Sequence, residues 1–228
     1  MANVAEQAGV VSDAESTRQR IIEAAGSIFA RKGFEGATVR EICQLGKANL
    51  AAINYHFGDK RRLYIETVKQ AHLSRAEEFP LPAWPEGTCP RQMLADFVLV
   101  FLRRVIGPTV APWQGDLMMR EVAQPTDACQ ELVRDSIGPH FQALNKILAE
   151  LMPNATIAER HLTAFSVVGQ CLHYRVVQPV IRLLVSAEEY ATFEPELLAR
   201  HITNLTLNGI TAPKAERTKP QQSSETSR

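Results

Sequence analysis

The chain has no excess of charge of either sign: 25 lysines and arginines face 25 aspartates and glutamates over 228 residues. Bulk attraction to a polyanion is thereby excluded, and binding of that kind has to come from a local patch. Long hydrophobic runs are also lacking. The most apolar stretch, 97–102, runs into Arg103 and Arg104 and is far too short to cross a bilayer. The cysteines, Cys43, Cys89, Cys129 and Cys171, are scattered, with no CxxC pair and no disulfide-scaffold density, which suits a reducing cytoplasm. The first sixteen residues hold no basic segment followed by an apolar core, so no signal peptide is expected. No alternating strand pattern, no βαβ rhythm and no internal repeat appears. What these absences leave is a soluble all-α protein, expected in the cytoplasm, without a cofactor and away from membranes.

Helical periodicity and breakers then divide the chain. Residues 1–15 are small and polar, and read as a flexible N-terminus. Ser16 and Gln19 stand at capping-box spacing, and Ile21, Ile22, Ala25, Ile28 and Phe29 recur on one helical face. Gly33 suits the left-handed position that ends such a helix. Thr38 with Glu41 forms another capping box, Gly46 supplies a turn, Asn49 caps a third helix, and Phe57-Gly58 closes it. A fourth helix is expected from Asp59 toward Glu78, with Leu63, Ile65, Val68 and Leu73 as its buried positions. Prolines exclude helix from 80–90. Further helices are predicted over 90–106, 113–123, 126–152, 157–178 and 189–207. Gly138-Pro139 should kink the third of these and Pro179 should kink or end the fourth. The tail 211–228, rich in Ser, Thr, Gln, Lys and Pro, reads as disordered.

Charge is not evenly spread. Residues 16–62 carry nine basic and four acidic side chains, a local excess of five. Within them, 38–60 reads as a helix-turn-helix, whose second helix enters a major groove while the first braces it across the backbone. Ile42, Leu45, Leu50, Ile53 and Phe57 are expected to pack inward. Ala51 and Ala52 leave room to approach base edges, and Asn49, Asn54, Tyr55 and His56 remain to contact bases or phosphates. Lys47 and Lys60 flank the helix where phosphates would lie.

The run TRQRIIEAAGSIFARKGFEGATVREICQLGKANLAAINYHFGDKRRLY resembles the DNA-binding head of the TetR family of bacterial transcriptional repressors, through Phe29, Gly33, Thr38, Ile42, Tyr55, Phe57, Lys60 and Leu63 above all. The glycine usual in the turn falls at Lys47, with Gly46 one residue earlier. By that resemblance Thr38, Tyr55 and Lys60 hold phosphates, and Arg40, Asn49, Ala51, Ala52, Asn54 and His56 face bases or the adjoining backbone. The second half, through MMREVAQPT, VRDSIGPHFQAL, FSVVGQCLHYRVVQPVI and LLARHI, resembles a branch with a CerR-like C-terminal domain.

The resemblance implies a head at 16–62 and an effector-binding, dimerising body at 63–210. It implies a homodimer on a palindromic double-stranded operator, released by an amphipathic drug-like or metabolite effector. Stripes at Phe165, Val168, Leu172 and Val176, and at Leu197, Leu198, Ile202 and Leu205, are either dimer interface or plain core. By residue type, Met118, Met119, Phe141, Phe165, Gln170, Cys171, His173 and Tyr174 offer the apolar lining with a few polar groups that small-molecule sites use. Arg120 with Glu121, and Arg175, are ligand clamps or structural ion pairs. Two rival readings stand beside it: an all-α binding or scaffold protein with no DNA role, and an enzyme or metalloprotein built on Cys171 and His173, with His161 or Cys129. Residues two apart point to different sides of a helix, and no oxyanion site or third group accompanies the cysteine. The expectation is a regulator, not an enzyme.

Overall fold

A computed structural model describes residues 2–107 and 111–211, with side chains from residue 15 onward. Among them every regular element is helical. The expected tail at 211–228 lies outside the described residues apart from Thr211. The first helix, α1 (Ala2–Gly36), is longer than expected, because the predicted start at Ser16 is not a start. Nothing between 2 and 15 breaks a helix, and Gln19 donates to Glu23 within it (3.0 Å) instead of capping. At Gly33 the helix kinks, with φ 72° and ψ 178°. A side chain there would be strained, which explains the glycine, although the conformation is extended rather than the helix-closing one.

Two short helices follow, α2 (Val39–Leu45) and α3 (Leu50–Phe57). Thr38 and Glu41 cap α2 reciprocally: the Glu41 amide donates to Thr38 Oγ1 (3.3 Å) and the Thr38 amide to Glu41 Oε2 (3.2 Å). Asn49 Oδ1 accepts from the Ala52 amide at 2.8 Å to open α3. Asp59 does the same for α4 (Lys60–Glu78), taking the Arg62 amide at 2.7 Å. Across a proline-rich segment lie α5 (Pro90–Ile106), α6 (Pro112–Ala123) and α7 (Asp127–Leu132).

The predicted kink at Gly138-Pro139 takes a definite form. A π-helical turn (Val133–Ile137) leads into α8 (Gly138–Leu151). The Gly138 amide reaches back five residues to the Val133 carbonyl, and a Cβ on Gly138 would stand 2.5 Å from that oxygen. The widened turn accommodates Pro139, whose ring cannot follow an ordinary α-turn. Next come α9 (Ile157–Val176), ended ahead of Pro179 as predicted, α10 (Gln178–Leu184), α11 (Ala187–Tyr190) and α12 (Pro195–Thr211). The single helix expected over 189–207 is therefore two. Pro195 sits at the first helical position of the second, where its missing amide costs nothing.

The buried side chains form two cores. One joins Ile21, Ile22, Ile28 and Phe29 of α1, Ile42, Ile53, Phe57, and Leu63 to Ala71 of α4 with Trp113 and Leu117 of α6 and Leu132 of α7. The other joins Leu94, Phe97 and Leu102 of α5 to Leu144 and Leu148 of α8, Val167 and Cys171 of α9, and Leu198 and Ile202 of α12. Packing thus groups α4, α6 and α7 with the three N-terminal helices. Three side chains of α6 fasten it to the head. Trp113 Nε1 donates to Glu23 (2.8 Å) and its ring lies where a Cβ on Gly26 would be. Arg120 donates to the Ala30 and Arg31 carbonyls (3.2 and 3.3 Å), and buried Glu121 accepts from the Tyr64 hydroxyl (2.6 Å).

Candidate nucleic-acid interface

α3 buries Ile53 and Phe57 against α1 and α4 and turns the rest of its surface outward. Asn49, Ala51, Asn54 and Tyr55 are exposed, Tyr55 to 81%. Ala52 is half-buried and packs on the core, so it lies at the edge of that face. His56 is also half-buried, edge-on to Tyr55 with ring centroids 5.0 Å apart. Two residues expected to pack inward do not: Leu45 is 55% exposed and Leu50 58%. Leu50 stands at the correct helical spacing from Ile53 and Phe57, but it is the first residue of α3. Side chains tilt toward a helix's N-terminus, which carries Leu50 past the end of the packed surface. It joins Ala51 as an apolar group of the kind that meets thymine methyls. Leu45 instead lines an open groove between α1 and the turn, with Gln19, Glu23 and Lys47. Leu73 of α4 is likewise exposed, because Leu63, Val68 and Ala71 already define the buried side.

The basic patch is smaller than its residue count. Arg18 pairs with Glu66 (3.2 Å) and lies over the Phe57 ring, Lys32 pairs with Glu41, and Arg61 pairs with Asp127 of α7 (2.6 Å). The Glu41 carboxyl is held down at about 2, first by Lys32 and then by the Thr38 hydroxyl. The Thr38 hydroxyl is itself engaged by Glu41 Oε2 at 2.9 Å, so its first role is the cap. Lys60 holds its ammonium 4.5 Å over the Phe34 ring. Arg40, Lys47 and Arg62 are exposed and form no ion pair with a described residue. The turn itself is unusual: Lys47 has φ 48°, the one non-glycine residue with positive φ among the described residues. Gly46 keeps ordinary helical angles and is needed for another reason. A Cβ there would approach the Ile42 carbonyl to 3.1 Å and Ala24 Cβ to 3.3 Å.

Residues 21–67, which span the capped helix pair just described, match the family model for bacterial regulatory proteins of the tetR family. Residues 90–210, more than half of the chain, match that for the C-terminal domain of the HTH-type transcriptional dual regulator CecR. The chain belongs to the TetR family. Its C-terminal branch is CecR, which corrects the CerR label given to that resemblance. The chain is 24% identical over 213 residues to the transcriptional dual regulator CecR of Shigella flexneri, covering 86% of this chain and 93% of that protein. It is 36% identical over 61 residues to the transcriptional repressor NicS of Pseudomonas putida, where the match spans 27% of this chain and 29% of the repressor. The crystal structure of HlyIIR, a hemolysin II transcriptional regulator, shares the fold with a TM-score of 0.59 at 23% identity, over 84% of this chain and 97% of that one. The three relatives just named are all transcriptional regulators.

Within this TetR-type body the eight residues picked for an effector pocket do not converge. Met118 packs on the head core, whereas Phe141, Cys171 and Tyr174 belong to the body core. Phe165 is 60% exposed and stacks on Phe141 with centroids 5.3 Å apart, while His173 is exposed and Met119 half-buried. Gln170 donates to the Ser166 carbonyl of its own helix (3.2 Å). Residue type alone selected them, and it does not report which helix face meets which. Burial pushes the Cys171 thiol up to about 12, while His173 points to solvent, so the two diverge. Arg120 and Glu121 are engaged by the head, as described, and Arg175 pairs with Asp116. The signal missed in the sequence was Trp113, whose aromatic bulk two residues past a break marked the docking of α6.

Proposed function

We propose that the chain is a DNA-binding transcriptional repressor that reads an operator through α3 and yields it to a small-molecule effector bound in the helical body. The observation that carries this reading is the outward face of α3. It presents Asn49, Leu50, Ala51, Asn54 and Tyr55, while the buried Ile53 and Phe57 anchor the opposite side. Small and amide side chains fit the approach to base edges, and Arg40, Lys47, Tyr55 and Arg62 are placed for phosphates. Residues 16–62 act as the reading head and 63–210 as the effector-binding and dimerising body, with α6 joining them.

A palindromic operator calls for two heads spaced by about 34–36 Å or a multiple of it, hence a homodimer. The apolar side chains left open on α9 and α12, Leu162, Phe165, Val176 and Leu205, supply a self-complementary face for a four-helix interface. Effector binding shifts the head spacing by its differential affinity for the two states. The test is an electrophoretic shift with the DNA upstream of the protein's own gene, repeated over a salt series. Retarded complexes whose affinity falls steeply with salt support the reading. Absence of any salt-sensitive binding refutes it.

A further inference from the structure

Where α4, α5 and α8 meet, cationic and imidazole groups gather without a counter-ion for one of them. Arg104 of α5 donates through Nε to the Phe79 carbonyl (2.8 Å) and through Nη1 to His140 Nε2 (2.6 Å). His140 donates from Nδ1 to the Ser136 carbonyl at 2.7 Å. These two contacts assign its tautomer: the proton is on Nδ1, and the Nε2 lone pair receives the guanidinium. The His72 ring of α4 lies 6.0 Å from the His140 ring, and its buried Nε2 has no hydrogen-bond partner. Arg75, one turn further along α4, donates to the Arg103 and Arg104 carbonyls (2.6 and 3.0 Å) and so fixes the end of α5 beside them.

The acids on the surrounding elements are engaged elsewhere or, like Glu77 of α4 and Glu150 of α8, exposed to solvent. On α4, Glu78 pairs with Arg75; on α7 and the π turn, Glu131 and Asp135 pair with Lys69; on α12, Glu196 pairs with Arg103. No ion pair joins Arg104 to an acid among the described residues, and its Nη2 donates to none of their atoms. Burial lowers the pKa of Arg104, and of both imidazoles, taking His72 to about 4 with His140 and Arg104 adding to the effect. No carboxylate contributes at either ring. A half-buried guanidinium with no counter-ion, beside a ring nitrogen with no partner, is unfavourable for folding alone.

We propose that Arg104, His72 and His140 form a binding site for a small carboxylate anion, the charged end of the effector. This deepens the repressor reading above and rests on it. One carboxylate oxygen accepts a charge-assisted hydrogen bond from Arg104 Nη2 and the other accepts from His72 Nε2. The site offers one full positive charge at neutral pH, which matches a monoanion. A bound carboxylate joins the far end of α4 to α5 and α8. Since α4 begins at Lys60, directly after the recognition helix, occupancy and head position become linked.

The test follows the imidazole proton resonances of the full chain by NMR while benzoate is added over a pH series. Benzoate is expected to raise the apparent pKa of His72 and His140 by about one unit, and its binding to tighten as the pH falls from about 5.5 to about 4.5, the interval through which His72 gains its proton in the complex. Arg104→Gln is expected to abolish both effects. His72→Phe, which keeps the ring volume, should weaken benzoate by about tenfold and carries the same test if the first variant does not fold. Unmoved His72 and His140 resonances overturn the proposal, as does benzoate binding undiminished in both variants. Equal shifts with inorganic phosphate overturn the carboxylate assignment. Operator binding by the ligand-free protein is scored separately. Its absence sinks the repressor reading, whereas silent imidazoles beside intact operator binding sink only the anion site.

Discussion

Lys47→Gly should stabilise this protein, although it removes a charged residue from the proposed DNA-binding surface. Lys47 holds φ 48°, in the left-handed region where a side chain meets the following carbonyl. That conformation costs a non-glycine residue roughly 1–2 kcal/mol, which glycine avoids. Glycine also loses more freedom on folding, an opposing term of about 0.4–1 kcal/mol. The net expectation is a gain of about 0.5–1 kcal/mol, or a rise of about 1–4 °C in Tm for a chain of this size. Lys47 is exposed and forms no ion pair with a described residue, so no lost contact offsets the gain. Lys47→Ala is the control, since it deletes the ammonium and keeps the strain. The assay is denaturant unfolding of both variants at equal protein concentration, comparing midpoints at constant slope. If Lys47→Gly is no more stable than Lys47→Ala, the turn is not strained and the argument fails. If Lys47 meets a phosphate, both variants also lose about 0.9 from the salt slope of operator binding per head.

Tyr55→Ala should weaken operator binding by about tenfold or more, the worth of a hydrogen bond to a charged group, with circular dichroism unchanged because the ring is exposed. A loss of helix would assign Tyr55 to the core instead. Phe165→Asp places a charge on the open face of α9 and is expected to halve the mass measured by light scattering, with folding retained; an unchanged mass removes α9 from the interface. Gly138→Ala puts a Cβ 2.5 Å from the Val133 carbonyl and should destabilise the body by about 1–3 kcal/mol in the same unfolding assay. Acid should weaken the fold through His72 and His140. Their folded values lie below the usual 6.5, so the stability tied to their neutral forms is complete above about 6.5 and is lost as pH falls through about 4. His72→Phe should flatten that part of the stability–pH curve, and an unaltered curve would refute the assignment.

The recognition element was the most legible part of the chain. Thr38 with Glu41, and Asn49, open the helices their spacing predicts, because capping joins a side chain to a backbone amide three residues on, and Asp59 caps the fourth helix in the same way where only its start was expected. Prolines 139 and 179 interrupt helices where expected, whereas Pro195 opens a helix inside the stretch 189–207 for which the periodicity predicts one continuous helix. The start at Ser16 failed for the converse reason: a capping-box spacing opens a helix only if the preceding residues do not already form one. The effector pocket was least legible, since eight residues of suitable type lie on three helices whose faces meet different partners.

Local backbone chemistry, acting within four residues, was therefore set by the sequence and could be read from it: the all-α class, the caps, the breaks, and the place of a glycine or its substitute in the turn. Tertiary packing settled what depends on distant chain. It turned Leu45, Leu50 and Leu73 outward by where covering helices end. It spent Arg61 on Asp127, 66 residues away, and it brought Arg104 to His140 and His72. Orientation and charge pairing follow from which helix lies against which, and periodicity along a single helix carries no record of its neighbour.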